Sequence, residues 1–192
     1  MTLSARLLVL PLLPLAVACT DAASNKDPVA EAKFQNEKRI GDEAVTKRQI
    51  RDAEFIVDAA SRKMELLEIS QIAQRKASAA GTRTLLQQAL PQFSALQQEV
   101  QRLAQQKNMV LPTGLSASQA KEVGELTALN GAKFDRQYAK LATALLSRDA
   151  DAYDDMTDDA YDGDIRALAA RQLPALRQQH AAADNLGDQL TP

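Results

Sequence analysis

Apolar residues recur at helical spacing along most of this chain. From about Asp52 to Ala79, Phe55, Ala59, Leu66, Ile69 and Ala73 mark one face of a helix, and Gly81 follows in the manner of a C-terminal cap. A second helix is predicted from about Thr82 to Asn108. Its stripe of Leu86, Ala89, Phe93, Leu96, Val100 and Leu103 alternates spacings of three and four, the pattern of a bundle or coiled coil. Pro91 interrupts that helix and should kink it. After a loop holding Pro112 and Gly114, Ser116 starts a short helix to about Leu129, with Glu122 supporting its early turns. Asn130-Gly131 breaks the chain. Phe134, Tyr138, Leu141, Leu145, Tyr153 and Met156 mark a helix from about Lys133 to Met156. The last helix spans about Asp164 to Asn185, with Ile165, Ala169, Leu173, Leu176, His180 and Ala183 on its face and Pro174 bending it. No alternating run long enough for a strand is present. The pattern predicts an all-α protein, an antiparallel four-helix bundle with one extra short helix and an N-terminal charged segment.

The first residues follow another pattern. One positive charge, Arg6, precedes an apolar run from Leu7 to Ala18 that is broken by Pro11 and Pro14. That is the layout of an export signal, and it is shorter than the roughly 20 apolar residues that cross a bilayer. The run closes on Leu15-Ala-Val-Ala-Cys19. It resembles the lipobox of lipoprotein signals, in which the cysteine is lipidated and becomes the first residue; Ala16 stands where leucine is commonest. The other reading is an ordinary secretory leader followed by a stray cysteine. Cys19 is the only cysteine, so it has no internal disulfide partner, and lipidation accounts for its presence. Thr20 rather than aspartate follows it, which by resemblance to the sorting rule of enterobacteria favours the outer membrane. The expected organisation is a signal peptide over 1–18, a small, polar tether over 19–28, a charged and partly helical segment over 29–50, the bundle over 51–187 and a tail over 188–192.

Composition narrows the function classes. The 192-residue chain has a net charge of −2; Arg6 is the only charge in the leader, so the mature chain carries −3. That balance is no footprint for nucleic acid. Bundles of this size often hold di-metal carboxylate sites built from Glu-x-x-His pairs. Here the single histidine, His180, is preceded three residues earlier by the cation Arg177, which is wrong for a ligand shell. Glu65 and Glu68 are spaced to share a helix face and are weak metal candidates, but a solvated face paired with Arg62 or Lys63 is the favoured reading. Asp149 to Asp164 holds eight aspartates. With Gly163 as the glycine of a calcium loop, Asp158 and Asp162 match, while Ala160 and Ala169 fall in ligand slots. Asp158 and Asp162 are thus weak cation candidates within what reads as an acidic, solvated helix end. No haem-attachment motif, phosphate loop or nucleophile–base pair is present in the sequence. No catalytic residue and no cofactor are expected.

Several segments in order carry a family resemblance: Asp52-Ala-Glu-Phe55, Ala59-Ala-Ser61, Met64-Glu65, Ile69-Ser-Gln-Ile-Ala-Gln-Arg-Lys-Ala77, Leu111-Pro-Thr113, Gly131-Ala-Lys-Phe-Asp135 with Tyr138, and Ala169-Ala-Arg-Gln-Leu-Pro174. Over roughly residues 50–185 the chain resembles domain of unknown function 4142, a family often labelled putative outer membrane protein. The resemblance implies a ferritin-like helical bundle. Its members usually carry histidines where this chain has Phe93, Ser118, Leu146 and a point next to His180, so no ligand role transfers. The sequence therefore points to an exported, lipid-anchored envelope protein. Its bundle would act without catalysis as a structural or interaction module, facing the periplasm, joined to the membrane through Cys19 and to an unknown envelope protein, with no nucleic-acid partner. The alternatives are a ferritin-like metal-binding protein, a small-ligand carrier using the bundle core, and a 29–50 arm that folds on a partner.

Overall fold

The structure, a computed structural model, describes residues 27–40 and 46–191; the leader, Cys19 and the tether up to residue 26 lie outside the described residues. Six helices account for nearly all of it: α1 Pro28–Ile40, α2 Thr46–Lys76, α3 Ala80–Gln106, α4 Ala117–Ala128, α5 Gly131–Asp159 and α6 Gly163–Leu190. Among the described residues there is no strand. The apolar stripes become the core. Phe55, Ile56, Ala59, Leu66 and Ile69 of α2 meet Leu86, Phe93 and Val100 of α3, Phe134, Tyr138 and Tyr153 of α5, and Ile165, Leu168 and Leu176 of α6.

Four long helices form a ring in which α2 packs on α3, α3 on α6, α6 on α5 and α5 on α2. Every neighbour is antiparallel. Along α2 and α5, Arg51 meets Asp159, Lys63 meets Asp149, Ser70 meets Tyr138 and Ser78 meets Asp135. Along α3 and α6, Gln92 meets Gln179 and Leu96 meets Gln172. The course is therefore up, down, down, up, with one long crossover between α3 and α5. That is the connectivity of a ferritin-like bundle. The crossover carries α4, which lies on α2 and α5.

The interior is more polar than the apolar stripes imply. Lys63 is 2% exposed and gives its ammonium to Asp149 Oδ2 at 2.8 Å and to the Tyr153 hydroxyl at 2.8 Å. Asp149, equally buried, takes Arg62 Nε on its other oxygen at 2.5 Å. Burial pushes the Lys63 ammonium down, but the Asp149 charge and the Tyr153 oxygen outweigh it and hold the ammonium above its ordinary value, so Lys63 stays charged. Asp149 is thus no part of a solvated acidic end, and Lys63 does not face solvent beside Glu65. Near the opposite end of α5, burial pushes the Tyr138 phenol up to about 12, and its oxygen lies 3.1 Å from Ser70 Oγ.

Several helix ends are capped by other helices. The N-terminus of α3 has no cap of its own. Instead, the buried Asp135 of α5 accepts the backbone N–H groups of Ser78 and Ala79, each at 3.1 Å, and the Ser78 hydroxyl. Asp52 of α2 accepts the N–H groups of Tyr161 and Asp162 in the α5–α6 turn. Asp162 in turn caps α6 through the N–H groups of Asp164 and Ile165.

The structure shifts some expected details. Gly81 ends no helix: it lies in the first turn of α3, where an added Cβ would come 3.3 Å from Leu186 Cδ1. Its small size admits the C-terminal part of α6. The chain runs helically through Pro91 and Pro174. Ser116 opens α4, as expected, through a capping box with Gln119. α6 extends to Leu190, well into the expected tail, and Gln179 rather than His180 is buried on its inner face. Most of the 29–50 segment is helical, as α1 and the first turn of α2.

α1 is held chiefly by polar bonds. It buries only Ala32 and Asn36. Asn36 gives Nδ2 to the Val110 carbonyl and takes the Val110 N–H on Oδ1, at 2.9 and 2.7 Å. Arg39 reaches the Asn108 carbonyl, Lys33 pairs with Asp58 at 2.6 Å, and Asp27 accepts the Ala117 N–H at 3.1 Å.

Two outcomes follow. Asp149→Leu leaves Lys63 buried without a carboxylate and should cost about 3–5 kcal/mol in denaturant unfolding, with most of it regained in the Lys63→Met/Asp149→Leu double variant. Asn36→Ala should speed tryptic cleavage after Lys38 and Arg39 severalfold while the unfolding midpoint of the bundle barely moves; equal cleavage rates would show that the Asn36 bonds do not hold α1 down.

Candidate functional site

α1, α2, α4 and α5 line an open cleft of about 470 Å³. α1 supplies Val29, Ala30 and Lys33 as one wall, with Asp27 just before it. α2 supplies Asp58, Ser61, Arg62 and Glu65; Ser116, Gln119 and Glu122 come from the start of α4, and Leu145 and Arg148 from α5. The α4 side is set by its capping box, which aims Gln119 back toward Ser116, at 2.9 Å from the Ser116 N–H. The same amide oxygen accepts the Ser61 hydroxyl at 3.0 Å and so ties α4 to α2.

Most charges around the cleft are answered within the protein. The two Asp27 oxygens take the N–H groups of Val29 and Ala30, at the start of α1, and of Ala117. Asp58 holds Lys33, and Arg62 turns to Asp149. Glu65 is the buried exception. It is 2% exposed, and its Oε1 has no hydrogen-bond partner. Burial pushes its carboxyl above the ordinary value; the Gln119 side chain draws it down, the Glu122 charge adds to the rise, and Arg148 opposes it. Burial prevails.

The sequence-derived candidates do not converge. Glu65 is buried, which corrects its reading as part of a solvated face paired with Arg62 or Lys63, whereas Glu68, three residues on, is exposed. Asp158 is exposed, and Asp162 is engaged as the α6 cap and with Lys107 at 2.6 Å. Lys107 also holds Asp164 at 2.7 Å. Among the described residues no group of three or more histidine, cysteine, aspartate or glutamate side chains could hold a metal ion. Phe93 and Leu146 are core residues and Ser118 sits exposed beside the cleft. His180 lies in a separate α5–α6 groove with Arg136, Lys140 and Asp184. The unpaired state of Glu65 was not readable from spacing, because it depends on how α4 and α5 pack against α2; the nearest sequence signal is a carboxylate one residue before Leu66 of the apolar stripe.

A carboxyl raised on folding holds its proton more tightly in the folded state than in the unfolded chain. Its ionisation therefore costs stability above the folded-state pKa, and the cost fades as pH falls toward the ordinary value of 4.5, below which both states are protonated. Glu65→Gln should raise stability at pH 7 by about 1 kcal/mol, or roughly 2–4 °C in Tm, with the gain shrinking to nothing below about pH 4.5. Thermal unfolding across pH checks this; a lower Tm at pH 7 would contradict the unpaired state of Glu65.

Two solved structures share the fold. One is a DUF305 fragment from Deinococcus radiodurans, with a TM-score of 0.63 and 12% identity, aligned over 72% of this chain and 96% of that one. The other is a conserved hypothetical protein, rv2844, from Mycobacterium tuberculosis, with a TM-score of 0.57 and 15% identity over 73% and 93% of the two chains. At such identities the likeness concerns the fold alone. No curated protein matches the sequence. The model of the domain of unknown function DUF4142 matches residues 38–186, which takes in α2 to α5 and most of α6 but leaves out nearly all of α1. The chain belongs to the DUF4142 family.

Proposed function

We propose that this protein is exported and lipid-anchored in the cell envelope, and that its bundle acts there without catalysis as a structural or interaction module. The observation that carries the reading is Cys19, the sole cysteine, directly after Ala18 at the end of a short apolar run that opens with Arg6. Acyl chains on that residue contribute about 0.8 kcal/mol per buried methylene, so several chains together hold a domain of this size at a bilayer. No helix among the described residues is long and apolar enough to cross a membrane. The eight-residue step from Cys19 to Asp27 reaches at most about 25–30 Å, which keeps α1 near the membrane surface. Thr20 favours the outer membrane, with the bundle toward the periplasm.

The non-catalytic reading rests on the chemical inventory. The serines beside the cleft have no histidine near them, since His180 lies in the α5–α6 groove. An envelope protein is the partner this reading calls for, and Phe34, 55% exposed on the outer side of α1, is the side chain best suited to meet one. An alkyne analogue of palmitate fed to the native cells should label the wild-type protein, and Cys19→Ser should abolish the label and release the protein from the membrane fraction. Equal labelling of both, or a turnover on the purified protein lost on a point substitution, would sink the proposal.

A further inference from the structure

We propose that the cleft walled by α1 binds a small organic cation, a ligand bearing an alkylammonium group, with the Glu65 carboxylate as its counter-ion. Buried polar atoms without a partner are rare in folded proteins and call for an explanation. Glu65 Oε1 is such an atom, on a side chain that lines a cleft of about 470 Å³, within the size range of small-molecule sites. The sign of the ligand follows from the charges. Asp27, Asp58, Lys33 and Arg62 are satisfied inside the protein. What remains around Glu65 is a second carboxylate, Glu122, and one cation, Arg148, which leaves an excess of one negative charge. An ammonium group would face both carboxylates and donate a charge-assisted hydrogen bond to the unpaired oxygen.

The cleft is far larger than a metal ion requires, and two carboxylates with neighbouring hydroxyls fall short of the six to eight oxygens that calcium takes. An organic cation fits the space and the charge together. Glu65 Oε1 is closed off from solvent, so entry needs one wall to move. α1 is the wall with the least apolar burial, only Ala32 besides Asn36, and it lies almost wholly outside the family match. This inference does not depend on the lipid anchor.

The test is calorimetric titration of the full protein with 1,4-diaminobutane at low ionic strength, alongside its neutral N,N′-diacetyl derivative. Saturable binding of the diamine alone is expected, weakened about tenfold or more by Glu65→Gln, as befits loss of a charge-assisted hydrogen bond, and unchanged by Glu68→Gln on the exposed side of α2. Because Glu65→Gln is expected to fold at least as stably as the wild type, loss of binding there reports the carboxylate. Three results would overturn the proposal: no saturable binding into the millimolar range, equal binding by Glu65→Gln, or equal binding of the diacetyl compound. Saturable, Glu65-dependent binding of calcium in place of the diamine would also overturn it and make the cleft a metal site.

Discussion

The buried pair of Lys63 and Asp149 decides how α2 lies against α5, and the rest of the bundle is arranged around that choice. An ammonium with 2% exposure is tolerable only with a carboxylate and a phenol oxygen in contact. Sliding α5 by one turn would strand both charges in the apolar interior. The pair therefore penalises other registers more than it stabilises the observed one. With this register set, Tyr153 meets the edge of Phe55 at 4.9 Å between ring centres, and Asp135 arrives where α3 begins. α2 and α5 then present the groove that receives α4, and the cleft lies between that groove and α1.

Acidic residues serve this bundle as joints. Asp135, Asp52 and Asp162 cap helices or turns, two of them from a different helix, and in doing so connect α5 to α3 and α2 to the α5–α6 turn. Burial pushes the Asp135 carboxyl up, yet the Ser78 hydroxyl and the N–H groups of Ser78 and Ala79 hold it below its ordinary value. Glu65, equally out of reach of water, has no such set of donors, and its carboxyl is raised instead. Asp135 Oδ1, like Glu65 Oε1, has no hydrogen-bond partner, so the two carboxyls differ in the donors gathered on the other oxygen, which for Asp135 are the Ser78 hydroxyl and two backbone N–H groups.

The helices were readable because burial here follows helical periodicity. The stripe from Leu86 to Leu103 is buried at each marked position, and Phe134, Tyr138, Leu145 and Tyr153 are buried as their spacing requires. The family resemblance, seen over roughly 50–185, agrees with the match over 38–186. Periodicity could not identify the charged residues that enter the core. Lys63 and Asp149 lie 86 positions apart, and neither looks apolar. Glu65 read as solvated for the same reason: the groups around it, Gln119 and Glu122 of α4 and Arg148 of α5, come from helices whose packing the local pattern does not encode. Gly81 read as a helix stop because glycine serves both as a cap and as a point of close approach, and only the position of Leu186 separates the two. The acidic run from Asp149 to Asp164 read as one surface feature, whereas its members divide among a core ion pair, an exposed helix side and a cap.

The central claim is that the cleft holds a buried carboxylate lacking the donors that quiet its counterparts. Titration of the Glu65 side-chain carboxyl carbon by NMR, assigned through Glu65→Gln, reports this directly. A midpoint clearly above the ordinary value of 4.5, lowered when the diamine binds, is the result this account requires. A midpoint at or below that value would mean that Glu65 has hydrogen-bond donors or solvent after all, and the cleft would lose its claim to be a site.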